Sequence, residues 1–100
     1  MTELEKKGLS VGDRIKGVRK KKNITQVELA EGIGITQSHL SQIENDHRNP
    51  SINTLEKICK ELDIPISGLL LLSLQDEHIR PDKREKFKEI RPLIEELLLE

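Results

Sequence analysis

The sequence predicts an all-α fold: five short helices packed as one bundle, with an additional helical segment at the C-terminal end. Three observations carry this expectation. Apolar residues recur at steps of three and four along most of the chain, whereas strand-like alternation is absent. A residue suited to a helix cap or a first turn precedes each apolar-periodic stretch of the first 72 residues: Ser10, Thr25, Thr36, Ser51 and Pro65. Trp and Tyr are missing and only 34% of the 100 residues are hydrophobic, so one modest core has to be built from Leu, Ile and Val.

Residues 1–10 are polar and read as a flexible N-terminal arm. Ser10 then caps a helix from about Val11 to Lys22, with Val11, Ile15 and Val18 on its apolar stripe. Asp13 in its first turn and Arg19 to Lys22 in its last complement the helix dipole. Two destinations are open to the run Arg19-Lys20-Lys21-Lys22, a solvated last turn or contact with phosphates. Thr25 and Glu28 form a capping-box pattern ahead of a helix over about Gln26 to Gly32. Gly34 follows, where the chain must turn sharply and a positive φ is cheapest for glycine. Thr36 caps the next helix, from Gln37 to about Asn45.

Leu29, Ala30, Ile33, Ile35, Leu40 and Ile43 are spaced so that these two short helices can cross over a shared core, as a helix-turn-helix requires. Leu40, Ile43 and Glu44 are expected to face inward. The opposite face carries Gln37, Ser38, Ser41, Gln42 and Asn45, polar side chains without charge. A merely solvated helix would use more Glu and Lys there. Amides that both donate and accept suit base edges in a major groove, where Gln can pair with adenine in bidentate fashion.

Ser51 caps a fourth helix, about Ile52 to Leu62, with Leu55, Ile58, Cys59 and Leu62 inward. Pro65 opens a fifth, to Leu72, with Leu69, Leu70 and Leu72 closing the core. Residues 11–72 thus form one domain, and 73–80 read as a linker. From Asp82 onward Phe87, Ile90, Ile94, Leu97 and Leu98 follow helical steps, and Pro92 predicts a kink or a break at which a new helix starts. This tail is too short for a core of its own. It packs either on the head, as a sixth helix, or on a second copy of itself. The second is the expectation, which makes Phe87, Ile90, Ile94, Leu97 and Leu98 dimerisation residues.

The net charge of −1 hides an asymmetry: residues 1–60 carry eleven Lys/Arg against eight Asp/Glu, and residues 61–100 carry six against ten. A basic front and an acidic back fit a nucleic-acid-binding head with a separate tail. Cys59 is the single cysteine, so no intrachain disulfide forms and a reducing, cytoplasmic compartment is expected. No leader pattern opens the chain, and the aliphatic run Leu69 to Leu72 is far too short to span a bilayer. No membrane partner is expected.

Other chemistry finds no support. His39, His47 and His78 have no ligand spacing and Cys59 has no cysteine partner, so neither a metal nor any other cofactor is expected. Gly32-Ile33-Gly34 lacks the third glycine and the preceding strand of a nucleotide-binding loop. Glu95-Glu96 and Asp76-Glu77 are surface-type pairs, and no strand-to-helix elbow exists to present a serine nucleophile. The chain is not expected to be an enzyme.

The run TQVELAEGIGITQSHLSQIEN, followed by NPSINTLEKICKELDI, resembles the phage repressor/Cro-like (XRE-type) helix-turn-helix family, in register over residues 11–72. That resemblance implies a five-helix repressor-like DNA-binding bundle. It implies that Gln37, Ser38 and Gln42, joined by Ser41, read bases. It places Thr25 and Gln26 at a phosphate clamp on the second helix, and Asn45 and Arg48 near the phosphate backbone after the recognition helix. Asp46 stands where relatives frequently have glycine. Arg19 and Glu44 match a pair that forms a buried ion bridge in relatives, which would make Arg19 part of the frame and leave Lys20 to Lys22 solvated.

The expected function is therefore that of a sequence-specific DNA-binding transcriptional regulator of bacterial or phage type. Most simply it is a repressor that binds double-stranded DNA as a homodimer on a near-palindromic operator. An alternative of another class is a protein-interaction module that binds a protein partner through the C-terminal helix. A third keeps DNA binding in another setting, as the antitoxin of a toxin pair or the controller of a restriction system.

Overall fold

The computed structural model describes residues 10–99. The predicted arm lies outside the described residues except for Ser10. Six α-helices are present among the described residues: α1 Val11–Lys21, α2 Gln26–Ile33, α3 Gln37–Glu44, α4 Ile52–Leu62, α5 Ile66–Leu72 and α6 Arg84–Leu99. Short 3-10 turns, Asp76–His78 and Pro81–Lys83, lie between α5 and α6.

Four of the five predicted starts hold as caps of one kind: Ser10, Thr25, Thr36 and Ser51 each accept a hydrogen bond from the backbone N–H three residues on. Such a bond satisfies one of the donors that a helix start leaves without an intrahelical partner. The Thr25 box is complete, because the Thr25 backbone N–H also donates to Glu28 Oε1 at 2.9 Å. That bond, with the one from the Thr25 side chain, holds the Glu28 carboxyl below the usual carboxylate range. Pro65 is itself the cap of α5 and offers no side-chain bond. Gly34 ends α2 at φ 76°, ψ 32°, the left-handed conformation its place in the turn predicted.

The core is shared by all five helices of the head. Ile15 and Val18 of α1, Leu29, Ala30 and Ile33 of α2, and Leu40 and Ile43 of α3 meet Leu55, Ile58, Cys59 and Leu62 of α4. Ile64, Leu69 and Leu72 close it. Leu70 corrects the sequence reading: it points outward and is exposed, because a helix of seven residues turns only part of its surface to the core. Gly12 lies where α1 crosses the end of α3. A Cβ there would sit 2.5 Å from the Ile43 carbonyl oxygen and 2.7 Å from that of Glu44.

The tail departs furthest from expectation. α6 runs unbroken through Pro92, so no new helix starts there. It packs along α5 and on the head. Ile94 joins the edge of the core, and Leu98 lies against Gly68, where an added Cβ would be 3.0 Å from Leu98 Cβ. A polar seam accompanies these contacts. Arg14, only 7% exposed, pairs with Glu95 at 3.2 Å, and Arg91 Nη2 donates to the Leu74 carbonyl at 3.0 Å while its guanidinium stacks over Phe87. The Nε of Arg14 and of Arg91 are both buried without a partner. Burial, then the Arg14 charge, hold the Arg91 pKa below its ordinary value, with Asp76 and Glu95 acting in the opposite direction. Of the residues expected at a dimer contact, Ile94 is half-buried at the edge of the core and Phe87 is half-buried under the Arg91 guanidinium.

Candidate nucleic-acid interface

α3 is held by its inner face. Leu40 and Ile43 are in the core, and Glu44, 1% exposed, is the most deeply buried charged residue described. An ionised carboxylate at such depth is tolerated only when its oxygens are bonded. Here they are. Arg19 Nε donates to Glu44 Oε2 at 2.7 Å and Arg19 Nη2 to Oε1 at 3.0 Å, a two-pronged pair that ties α1 to the end of α3. Arg19 Nη1 donates in addition to the Ile24 carbonyl at 2.9 Å, which fixes the connector between α1 and α2.

The frame reaches the surface through Gln26. Its Nε2 donates to Glu44 Oε1 at 3.0 Å, and its Oε1 accepts from Gln37 Nε2 at 3.4 Å. Glu44 has no hydrogen to give, so the Gln26 amide nitrogen must point inward and its oxygen outward. That in turn sets the Gln37 amide: its nitrogen lies toward Gln26, and its oxygen and second N–H stay available. Gln26 is therefore engaged inside the protein as well as standing at the start of α2. The first N–H groups of that helix have no intrahelical acceptor.

Gln37, Ser38 and Gln42 are exposed, and Ser41 is half-buried between them and the core side. Asn45 caps α3 and its Nδ2 donates to Ser41 Oγ at 3.4 Å. Thr25 and Arg48 are exposed, Thr25 at the start of α2 and Arg48 in the loop that follows α3. Every residue singled out for bases or phosphates thus lies on α3, at the head of α2 or in the loop after α3. Lys20 and Lys22 are exposed at the end of α1, whereas Arg19 turns inward.

Asp46 has a role that spacing did not reveal. It adopts φ 60°, and Ser10 Oγ donates to its Oδ2, which joins the loop after α3 to the start of α1. Asp tolerates the left-handed region better than most residues because its short side chain bonds locally. Arg14, Arg91 and Glu95 were missed as well. A charged residue on an amphipathic helix gives no sign of burial when its partner lies at the other end of the chain. Among the described residues no group of three or more His, Cys, Asp or Glu is placed to hold a metal ion, and no helix is long and apolar enough to cross a membrane.

Comparison with known proteins adds four findings. The model of a Helix-turn-helix family matches residues 15–69. The immunity repressor protein of Bacillus phage phi105 is 36% identical over 91 residues, which cover 89% of this chain and 62% of that protein. The HTH-type transcriptional regulator SinR of Bacillus subtilis is 48% identical over 61 residues, covering 60% of this chain and 55% of that protein. The chain therefore spans about three fifths of the length of these curated relatives. A crystal structure of SinR, the master regulator for biofilm formation, in complex with DNA superimposes with a TM-score of 0.57 at 46% identity. It covers 60% of this chain and 97% of that one.

Proposed function

We propose, on the premise that this chain belongs to the Helix-turn-helix family, that it is a sequence-specific DNA-binding transcriptional regulator, a repressor that acts from the cytoplasm as a two-fold dimer on a near-palindromic operator. One observation carries the reading: the outer face of α3 is polar, uncharged and pre-positioned. The bonds from Arg19 through Glu44 and Gln26 leave Gln37 with one amide oxygen and one N–H directed away from the frame. That donor–acceptor pair matches the N6 and N7 edge of adenine. Ser38, Ser41 and Gln42 extend the same face along the groove. Thr25, the first N–H groups of α2, Asn45 and Arg48 flank it and take the phosphates, which set register and carry little sequence information.

Two such heads place their recognition helices in successive major grooves, with half-site centres about 10 bp or roughly 34 Å apart. The reading assigns no catalytic step. Selection of bound DNA from a random pool tests it. The expected outcome is a palindrome with adenine at a fixed place in each half. On the selected site Gln37→Ala is expected to lose about 1–3 kcal/mol and on random DNA little. Equal losses on both would remove Gln37 from base readout.

The exposed Ile90, Leu93 and Leu97 on α6 support a second reading, in which the tail binds a different protein. Light scattering of the purified chain separates the two, because a dimer without added partner favours the first.

A further inference from the structure

We propose that Asp46 is a positioning residue for DNA binding: its carboxylate, fastened to the start of α1 by Ser10, holds the loop after α3 in the course that presents Arg48 to the phosphate backbone. The inference rests on the reading of Arg48 given above and adds to it the residue through which that contact is set.

The backbone at Asp46 gives the first observation. Beyond the cap Asn45 the chain closes back on α3: the Asp46 N–H donates to the Ile43 carbonyl at 3.2 Å and the His47 N–H to the Gln42 carbonyl at 2.9 Å. This pair of bonds places Asp46 in the left-handed region, where glycine is the usual occupant. Asn23, Gly34 and Asp63 close α1, α2 and α4 with the same two bonds and the same positive φ. What sets Asp46 apart among these four is where its side chain is anchored.

The anchor is the start of α1. Ser10 Oγ accepts from the Asp13 N–H at 3.1 Å and donates its own proton to Asp46 Oδ2. A hydroxyl bonded to a carboxylate makes a charge-assisted bond, stronger than a neutral one. The other oxygen, Oδ1, lies over the first turn of α1, 2.7 Å from where a Cβ on Gly12 would stand. A carboxylate is favoured at a helix start by the dipole. Gly12 thus leaves room for Asp46 as well as for the carbonyls at the end of α3.

The loop that follows is short. Four residues, His47, Arg48, Asn49 and Pro50, separate Asp46 from Ser51, the cap of α4. The His47 N–H is bonded to α3 and Pro50 has a fixed φ, so the course of Arg48 and Asn49 is decided by how the two ends are held. Glycine at position 46 would keep the turn, lose the anchor and add backbone freedom. Charge alone argues for the opposite effect on binding, because removing a carboxylate from a loop that meets phosphates should strengthen attraction to DNA. The two accounts differ in sign.

Substitutions in the full chain decide between them, with affinity measured over a range of salt on the selected operator and on random DNA. Arg48→Ala is expected to make the dependence of log K on log salt shallower by about 0.9, the share of one phosphate. Asp46→Gly is expected to weaken binding to both DNAs and to lose the same share of slope, yet to lose nothing further in the Arg48→Ala background. Asp46→Asn keeps an oxygen for Ser10 and tolerates positive φ, and is expected to recover the slope. A residue that only stabilised the fold would lower the melting temperature and leave the slope alone. Tighter binding by Asp46→Gly with the native slope would overturn the proposal in favour of charge. A loss that persists undiminished in the Arg48→Ala background would overturn the route through Arg48, and an Asp46→Asn chain that fails to recover would overturn the Ser10 anchor. Each of these results leaves the DNA-binding reading standing. A native slope in Arg48→Ala would remove the phosphate contact itself and this role of Asp46 with it.

Discussion

Glu44 is the residue on which the proposed reading surface depends. Its carboxylate accepts from Arg19 twice and from Gln26 once, and its burial leaves water no access to replace them. Removing one partner of a buried ion pair leaves the other charge stranded, at a cost of roughly 3–5 kcal/mol. Glu44→Ala is therefore expected to lower the melting temperature and to weaken operator binding together; an unchanged melting temperature would contradict the role. Glu44→Gln keeps the shape but can turn an N–H toward Gln26, and is expected to weaken operator binding further than its loss of stability explains. Cys59 gives a prediction with a pH signature. Burial pushes its thiol up to about 11, so the folded state holds a proton that the unfolded state has already lost at pH 9 or 10. The stability this contributes is complete below the ordinary thiol range and is lost as pH rises through it toward 11. A urea melt series should show that decline in the native chain and a smaller one in Cys59→Ala.

At the level of elements, the helix starts were legible because a cap is a local event: Ser or Thr bonds an N–H three residues away, and both partners lie within one short stretch. Gly34 was legible for the same reason. Gly12 was not, since its requirement comes from the carbonyls of Ile43 and Glu44 across the fold. Two glycine substitutions separate these kinds of constraint. Gly12→Ala must push α1 away from the rigid backbone at the end of α3, and is expected to destabilise by about 1–3 kcal/mol, as overpacking does. Gly32→Ala meets only the flexible side chain of Glu61, which can swing aside, and is expected to be neutral or slightly stabilising. Thermal unfolding of both variants checks the pair; equal losses would mean that the α1–α3 crossing can relax. Pro92 shows where a local rule gave way. The missing N–H interrupts one backbone bond, yet the helix continues because contacts on both sides of the proline hold it: Arg91 with Leu74, and Ile94, Glu95 and Leu98 with the head.

On the scale of the whole molecule, the head could be read from periodicity, and Gln37, Ser38 and Gln42 could be placed on its outer face, because helix spacing alone decides both. Helix spacing turned Glu44 inward, but its bridge to Arg19 came from family resemblance, since no local pattern names a partner 25 residues away. The docking of α6 was hidden for a similar reason: a stripe with two apolar sides does not announce which side meets the head and which stays bare. The seam has two guanidiniums, Arg14 and Arg91, and Glu95 as the acid paired with the buried one. Glu95→Lys adds a third cation there, and is expected to release α6 while the head stays folded. Hydrogen exchange should then show amides of 84–98 losing protection and those of α2 to α4 keeping it; a uniform loss would mean that head and tail unfold as one unit. The bonding of Gln37 to the frame through Gln26 has a consequence for descent. Ser38 and Gln42 are exposed, so they are expected to change at little cost to the fold, whereas Gln37 is constrained through Gln26 and Glu44. On the proposed reading, paralogues of such a regulator are expected to diverge at positions 38 and 42 in the sites they prefer, while Gln37 stays tied to its frame.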